Sequence, residues 1–195
     1  MPGRLMPYAG YSAGWVEGME MTQHGFAAYL KKFRGQGAEA PPRVKNRYIF
    51  WAWLGAFCGI FAVAFITYRA GVPMMIGSFG ASAVLIYAAI EGPLSQPRNL
   101  IGGHVISAII AVIICKTLGN TEFSIALAVS LAIAAMLSTR TLHPPGGATA
   151  LIGVSTKADW TFVLYPVLGG ALVLLTVALV VNNLASDRHY PKNWI

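Results

Sequence analysis

Residues 142–151 read Leu-His-Pro-Pro-Gly-Gly-Ala-Thr-Ala-Leu, inside an almost wholly apolar chain. Pro144, Pro145, Gly146 and Gly147 break a helix at membrane depth, and the Gly-Ala-Thr-Ala run restarts one. A helix that begins inside a bilayer turns the positive end of its dipole, with N–H groups lacking intrahelical partners, toward whatever sits there. Such a start can hold an anion without a buried cation. A helix start also disfavours a cationic imidazole, so His143 is expected as a neutral ring able to donate one hydrogen bond. It could serve as a gate or as a donor to a permeating anion; it could equally hold the break by packing and hydrogen bonding.

Four further positions carry polar chemistry at membrane depth. Ser82, close behind Ser78 and Gly80, falls on the first turns of a second apolar segment, as Thr149 does on its own. Their hydroxyls can face a pore or bond the backbone four residues earlier. His104 lies one turn into an apolar stretch, where a histidine is a functional candidate by default. Arg98, in the polar cluster Ser95-Gln96-Pro97-Arg98-Asn99, reads as an inner-face charge or as an electrostatic lure at a pore mouth. Glu91 stands at the end of an apolar stretch, and no acidic residue lies within the core of any such stretch. That counts against cation-coupled pumping, which usually needs a buried carboxylate. There is no His-Glu-x-x-His, P-loop, Rossmann glycine pattern, Cys-x-x-Cys or Gly-x-Ser-x-Gly. No enzymatic activity, cofactor or metal site is therefore expected.

The elements that would position these residues are apolar helices. The chain has 195 residues, 56% hydrophobic and 11% charged, where a soluble domain carries about 25% charged residues. Five apolar stretches run over roughly 49–68, 72–90, 99–115, 123–139 and 162–184, three of them reaching the approximately 18-residue length of a spanning helix. An all-α polytopic membrane protein is expected, with a cytoplasmic segment over 1–47, a transmembrane domain over 48–185 and a tail over 186–195. Residues 18–34 read as a short amphipathic helix, with Phe26, Tyr29, Leu30 and Phe33 on one stripe beside Lys31, Lys32 and Arg34. Cys58 and Cys115 read as small hydrophobes. Of the 14 Lys and Arg, seven precede residue 48. Their position beside a span fits a cytoplasmic N-terminus rather than nucleic-acid binding.

The sequence also repeats itself. Gly80-Ala81-Ser82-Ala83 matches Gly147-Ala148-Thr149-Ala150, and Ile101-Gly102-Gly103 matches Leu168-Gly169-Gly170, both at an offset of 67 (147 − 80 and 169 − 102). About six membrane elements are implied, arranged as two inverted three-element repeats with short or broken helices at 73–90 and 143–156. Lys and Arg counts favour six crossings with both ends inside; a re-entrant 143–156 would put the C-terminus outside. Gly55 and Gly59 in the first stretch, and Ala126, Ser130, Ala134 and Ser138 in the fourth, offer smooth faces for close packing within the chain or across an oligomer interface.

At three blocks the chain resembles the HPP family of integral membrane proteins. They are Gly77-Ser78-Phe79-Gly80-Ala81-Ser82, Gln96-Pro97-Arg98-Asn99 with Gly102-Gly103-His104, and Leu142-His143-Pro144-Pro145-Gly146-Gly147-Ala148-Thr149-Ala150. The family is usually described with four spanning helices, and some members are associated with nitrite transport. The resemblance therefore implies nitrite as the leading substrate. Together these readings give an expected channel or facilitator for a small monovalent anion in a bacterial inner membrane. Helix starts at Gly80 and Gly147 would form its anion site, with membrane lipid and further copies of the chain as its partners. A proton-coupled transporter using His143 or His104, and a non-transporting scaffold with a partner-binding N-terminal segment, are the alternatives.

Overall fold

A computed structural model describes residues 30, 32–34 and 42–194. The chain divides into two units at Arg43. Of the first, Lys32–Arg34 forms a single 3-10 turn; the rest of the amphipathic helix expected over 18–34 lies outside the described residues, apart from Leu30. The second unit contains α1 Asn46–Ala70, α2 Ser78–Ala88, α3 Pro97–Leu118, α4 Glu122–Ser138, α5 Pro144–Ser155 and α6 Val163–Leu184. No strand occurs among the described residues.

Local chemistry sets the boundaries. α1 stops at Gly71, whose φ of 67° is a left-handed cap that glycine adopts without strain. α3 and α5 open on Pro97 and on the Pro144-Pro145 pair, where a missing N–H costs nothing. Thr121 caps α4 by accepting from the Ser124 N–H at 3.1 Å. α6 is bent near its start, where Tyr165 takes an extended conformation ahead of Pro166.

At ~1.5 Å per residue, α1, α3 and α6 are roughly 33–38 Å long and α4 roughly 25 Å, whereas α2 and α5 reach only roughly 16–18 Å. Three helices, α1, α3 and α6, are thus long and apolar enough to cross a membrane, α4 is slightly shorter, and α2 and α5 are about half-length. α2 is entered through the non-helical segment 71–77, and α5 through the shorter one at 141–143.

Contacts fix the direction of every helix. Arg47 meets Ser186 and Asp187, Tyr48 donates to the Ala88 carbonyl at 2.9 Å, and the Lys192 N–H donates to Gln96. These place the start of α1, the end of α2, the start of α3 and the end of α6 on one face, here face A. Asn120 donates to the Ser155 carbonyl at 3.1 Å, putting the end of α3, the start of α4 and the end of α5 on the opposite face B. The six elements therefore alternate in direction, with residues 46 and 184 on the same face. Since α6 starts from face B, segment 143–156 passes through rather than returning.

The repeat is structural and inverted. α2 and α5 begin 66 residues apart (144 − 78), as do α3 and α6 (163 − 97). α1 runs from A to B and α4 from B to A. Exchanging α1 with α4, α2 with α5 and α3 with α6 maps the packing pairs onto one another: α1 on α6 becomes α4 on α3, and α1 on α2 becomes α4 on α5.

Two small-residue faces turn out differently from one another. Gly55 and Gly59 receive the ring of Tyr87 from α2; a Cβ at Gly55 would lie 2.6 Å from its Cδ1, and one at Gly59 would lie 2.7 Å from its Cζ. That glycine pair is filled from within the chain. The stripe Ala126, Ser130, Ala134 and Ser138 lies mainly on the exposed side of α4, and Ser124, Ala128, Ala132 and Met136 form the buried side instead. The main core gathers Val63, Phe79, Ile86, Tyr87, Ile90, Leu100 and Leu174 between α1, α2, α3 and α6.

Candidate functional site

The half-helices α2 and α5 meet side by side, antiparallel, with their first turns overlapping. Ser78 Oγ lies 2.9 Å from Thr149 Oγ1, and Ser82 Oγ lies 3.0 Å from His143 Nε2. His104 of α3 sits between them, with Nδ1 2.7 Å from Thr149 Oγ1 and Nε2 2.7 Å from Ser82 Oγ. His143 Nδ1 donates to the Leu94 carbonyl at 2.9 Å. All five side chains are at most 2% exposed. The imidazoles stand 5.0 Å apart, and Phe79 places its ring edge-on to His104 at 5.2 Å.

Glycines make this convergence possible. A Cβ on Gly103 would lie 2.5 Å from His143 Cβ, and one on Gly146 would lie 2.8 Å from the Gly103 carbonyl. α3 and α5 therefore approach backbone to backbone, which brings His104 and His143 within reach of the same serine. The two prolines hold His143 extended at φ −139°, directed back across the start of α3.

Of the positions singled out from sequence, Ser78, Ser82, His104, His143 and Thr149 come together, with Pro145 and Gly146 packed beneath them. Gly80 and Gly147 do not join the cluster: no atom lies within 4 Å of a Cβ built at either one. Gly80 instead lines an apolar groove of about 510 Å³ between α1 and α2, open to the outside. Pro144 is exposed. Arg98 stands apart and donates to the Thr139 carbonyl at 2.8 Å, a cation at the C-terminal end of α4. Around the two helix starts several N–H groups are absent or engaged. Pro144 and Pro145 have none, the Gly146 N–H donates to the His143 carbonyl at 2.8 Å, and the Phe79 and Gly80 N–H groups bond Ile76 and Gly77.

The donors at this centre are thus side chains: three hydroxyls and two imidazoles, with no carboxylate or cation bonded to them. Among the described residues no three His, Cys, Asp or Glu come together to hold a metal ion. The repeat offers no sign of His104's partners, since the position 67 residues on is Ala171. In the folded chain it is the central member. The Leu94 carbonyl left no signal in the sequence.

A second buried polar group lies toward face A. Arg188 is 5% exposed and donates to the Tyr87 carbonyl and to Asn182 Oδ1, with its guanidinium 4.6 Å over the Tyr48 ring. It neutralises the carbonyl end of α2, and burial draws it below the usual guanidinium range. Beside it, Tyr190 donates to the Ser95 carbonyl at 2.8 Å and Lys192 pairs with Glu91 at 3.0 Å, so the tail closes over the α2–α3 connection.

Six alternating elements in an inverted repeat, with two broken helices sharing a buried polar centre, define a polytopic helical membrane protein. The family model for the HPP transmembrane region matches residues 41–191, and the chain belongs to that family. Two curated transmembrane proteins of Dictyostelium discoideum are similar to it. One is 46% identical over 181 residues, covering 87% of this chain and 58% of the relative. The other is 46% identical over 179 residues, covering 85% and 63%. The chain thus spans less than two thirds of the length of either relative. No solved structure matches it.

Proposed function

We propose that this protein is a facilitator for a small monovalent anion, nitrite first, with its path between the two repeats at the Ser82–His104–His143–Thr149 centre. The observation that carries the reading is a buried cluster of neutral donors, without a carboxylate, at the junction of two inverted repeats. Inverted-repeat transporters place their substrate sites at such junctions, beside discontinuous helices. Neutral donors bind an anion favourably yet weakly, which conduction requires. Hydroxyl and imidazole N–H groups take the role first assigned to the helix N–H groups. In this conformation they bond one another, so the centre is closed; an entering anion exchanges those bonds for its own as the halves part.

The same proposal puts the protein in a bacterial inner membrane with face A cytoplasmic, and the charge pattern supports that orientation. Lys45, Arg47, Arg98, Arg140, Arg188 and Lys192 lie toward face A, against Arg69, Lys116 and Lys157 toward face B. Association with further copies of the chain through lipid-facing surface is part of the same proposal. The test is flux of nitrite into liposomes containing the purified protein, beside chloride, nitrate and formate. Saturable nitrite entry that responds to membrane potential and is lost in Ser82→Ala with Thr149→Val supports the proposal. Flux no greater than in empty liposomes refutes it.

A further inference from the structure

The polar centre is a chain of hydrogen bonds with a single direction. The Leu94 carbonyl can only accept, so the His143 hydrogen is on Nδ1, and its Nε2 accepts from Ser82. With its one hydrogen committed, Ser82 Oγ accepts from His104 Nε2–H. His104 Nδ1 then accepts from Thr149, and Thr149 Oγ1 accepts from Ser78. All five donors point from Ser78 toward Leu94, and the four links between side chains measure 2.7–3.0 Å.

The two ends of the chain are directed toward opposite faces. Ser78 follows exposed Gly77 at the end of segment 71–77, which enters from face B. Leu94 lies in the α2–α3 connection on face A, next to exposed Pro93. Three of the four links join opposite repeats: Ser78 to Thr149, Thr149 to His104, and Ser82 to His143. Only Ser82 to His104 lies within one repeat.

We propose that Ser78, Thr149, His104, Ser82 and His143 form a proton relay that is complete only while the two repeats are closed together. A proton reaching Ser78 Oγ sends the serine's own hydrogen to Thr149, and Thr149 sends its hydrogen to His104 Nδ1. His104 Nε2 releases its hydrogen to Ser82, Ser82 passes its own to His143 Nε2, and His143 Nδ1 gives one up to water entering beside the Leu94 carbonyl. One proton enters, one leaves, and both rings finish neutral in the other tautomer. Ser82 and Thr149 each have a backbone carbonyl four residues back, those of Ser78 and Pro145 at 3.3 Å, to which their hydroxyls turn when the chain opens. Parting of the repeats breaks three links and frees the rings to turn back. Of the charged groups on the surrounding elements, Glu91 pairs with Lys192, Arg98 bonds the Thr139 carbonyl and Arg188 bonds the Tyr87 carbonyl, while Lys116 and Glu122 stand at the far ends of α3 and α4 on face B.

This relay rests on the transport reading for the identity of the solute alone. The test uses the full chain in liposomes with an entrapped pH-sensitive dye, a potassium diffusion potential to drive protons, and nitrite flux measured in parallel. Wild type is expected to conduct protons. His104→Gln keeps one donor and one acceptor but has no second tautomer, so proton flux falls roughly tenfold or more. Ser82→Ala interrupts the chain to the same extent, and Ser82→Thr, which restores a hydroxyl, recovers flux. Each variant is compared at matched elution profile and melting temperature; if His104→Gln does not fold, the Ser82 pair decides. Proton flux without nitrite flux upholds the relay and refutes nitrite as solute. Nitrite flux without proton flux overturns the relay and leaves the transport reading standing. Equal proton flux in wild type and Ser82→Ala also overturns it.

Discussion

Gly103→Ala is the substitution to which this architecture should be most sensitive for its size. The added Cβ would stand 2.5 Å from His143 Cβ, 3.0 Å from the Thr141 carbonyl and 3.3 Å from Met136 Sδ. The first two atoms belong to the stem of a side chain and to backbone, so neither can swing aside. α3 and α5 must separate, and overpacking of this kind costs roughly 1–3 kcal/mol, here toward the upper end. A domain of this size loses roughly 2–4 °C in Tm per kcal/mol, so a drop of about 4–12 °C is expected. Gly80→Ala is the internal comparison. No atom lies within 4 Å of its Cβ, and relief of glycine's helix penalty should add roughly 0.5–1 kcal/mol. Both can be followed in detergent with a thiol-reactive dye, since Cys58 and Cys115 are free and half-buried. If Gly103→Ala melts with wild type while Gly80→Ala behaves as stated, the close approach of α3 to α5 is wrong, and with it the placement of His143.

Thr149→Val keeps shape but leaves His104 Nδ1 without its donor and Ser78 without its acceptor, a loss of about 1–3 kcal/mol in the same melting assay. Arg188→Met strands Asn182 Oδ1 and the Tyr87 carbonyl, and a loss of about 2–3 kcal/mol is expected; a variant as stable as wild type would show that the tail does not anchor α2. Burial raises the Tyr190 hydroxyl above its ordinary range, so the folded state holds this proton more tightly than the unfolded chain. Stability should therefore be retained below the unfolded-state pKa of about 10 and fall as pH rises above it. In Tyr190→Phe that share of the alkaline decline disappears from a Tm-against-pH profile.

The helices were legible because long apolar runs punctuated by Gly and Pro leave few alternatives at membrane depth. The inverted repeat was legible because the Gly80 and Gly147 segments and the two Gly-Gly pairs keep one offset. Which face of α4 is buried was not, since a chain this uniformly apolar carries almost no amphipathic signal. Ser124, Ala128, Ala132 and Met136 are no more hydrophobic than the exposed side. The five site residues were legible as types, but their partnerships depend on how far α3 and α5 interpenetrate. Which groups gather at the centre depends on local detail: the prolines at 144 and 145 carry no N–H, and the groups that meet one another there are side chains.

The sharing of the polar centre between the two repeats bears on biosynthesis. Ser78, Ser82 and His104 are all made before residue 110, whereas Thr149 and His143 emerge some forty residues later (143 − 104 = 39). Until α5 arrives, the first half holds polar groups at membrane depth whose bonds to one another are those of Ser82 with His104 and with the Ser78 carbonyl. The first half should therefore be short-lived alone and dependent on its successor, and truncation after α3 should leave a substrate for membrane quality control. Co-expressing residues 120–195 as a separate chain would then raise its steady-state level, the second half acting as the missing solvent for the first.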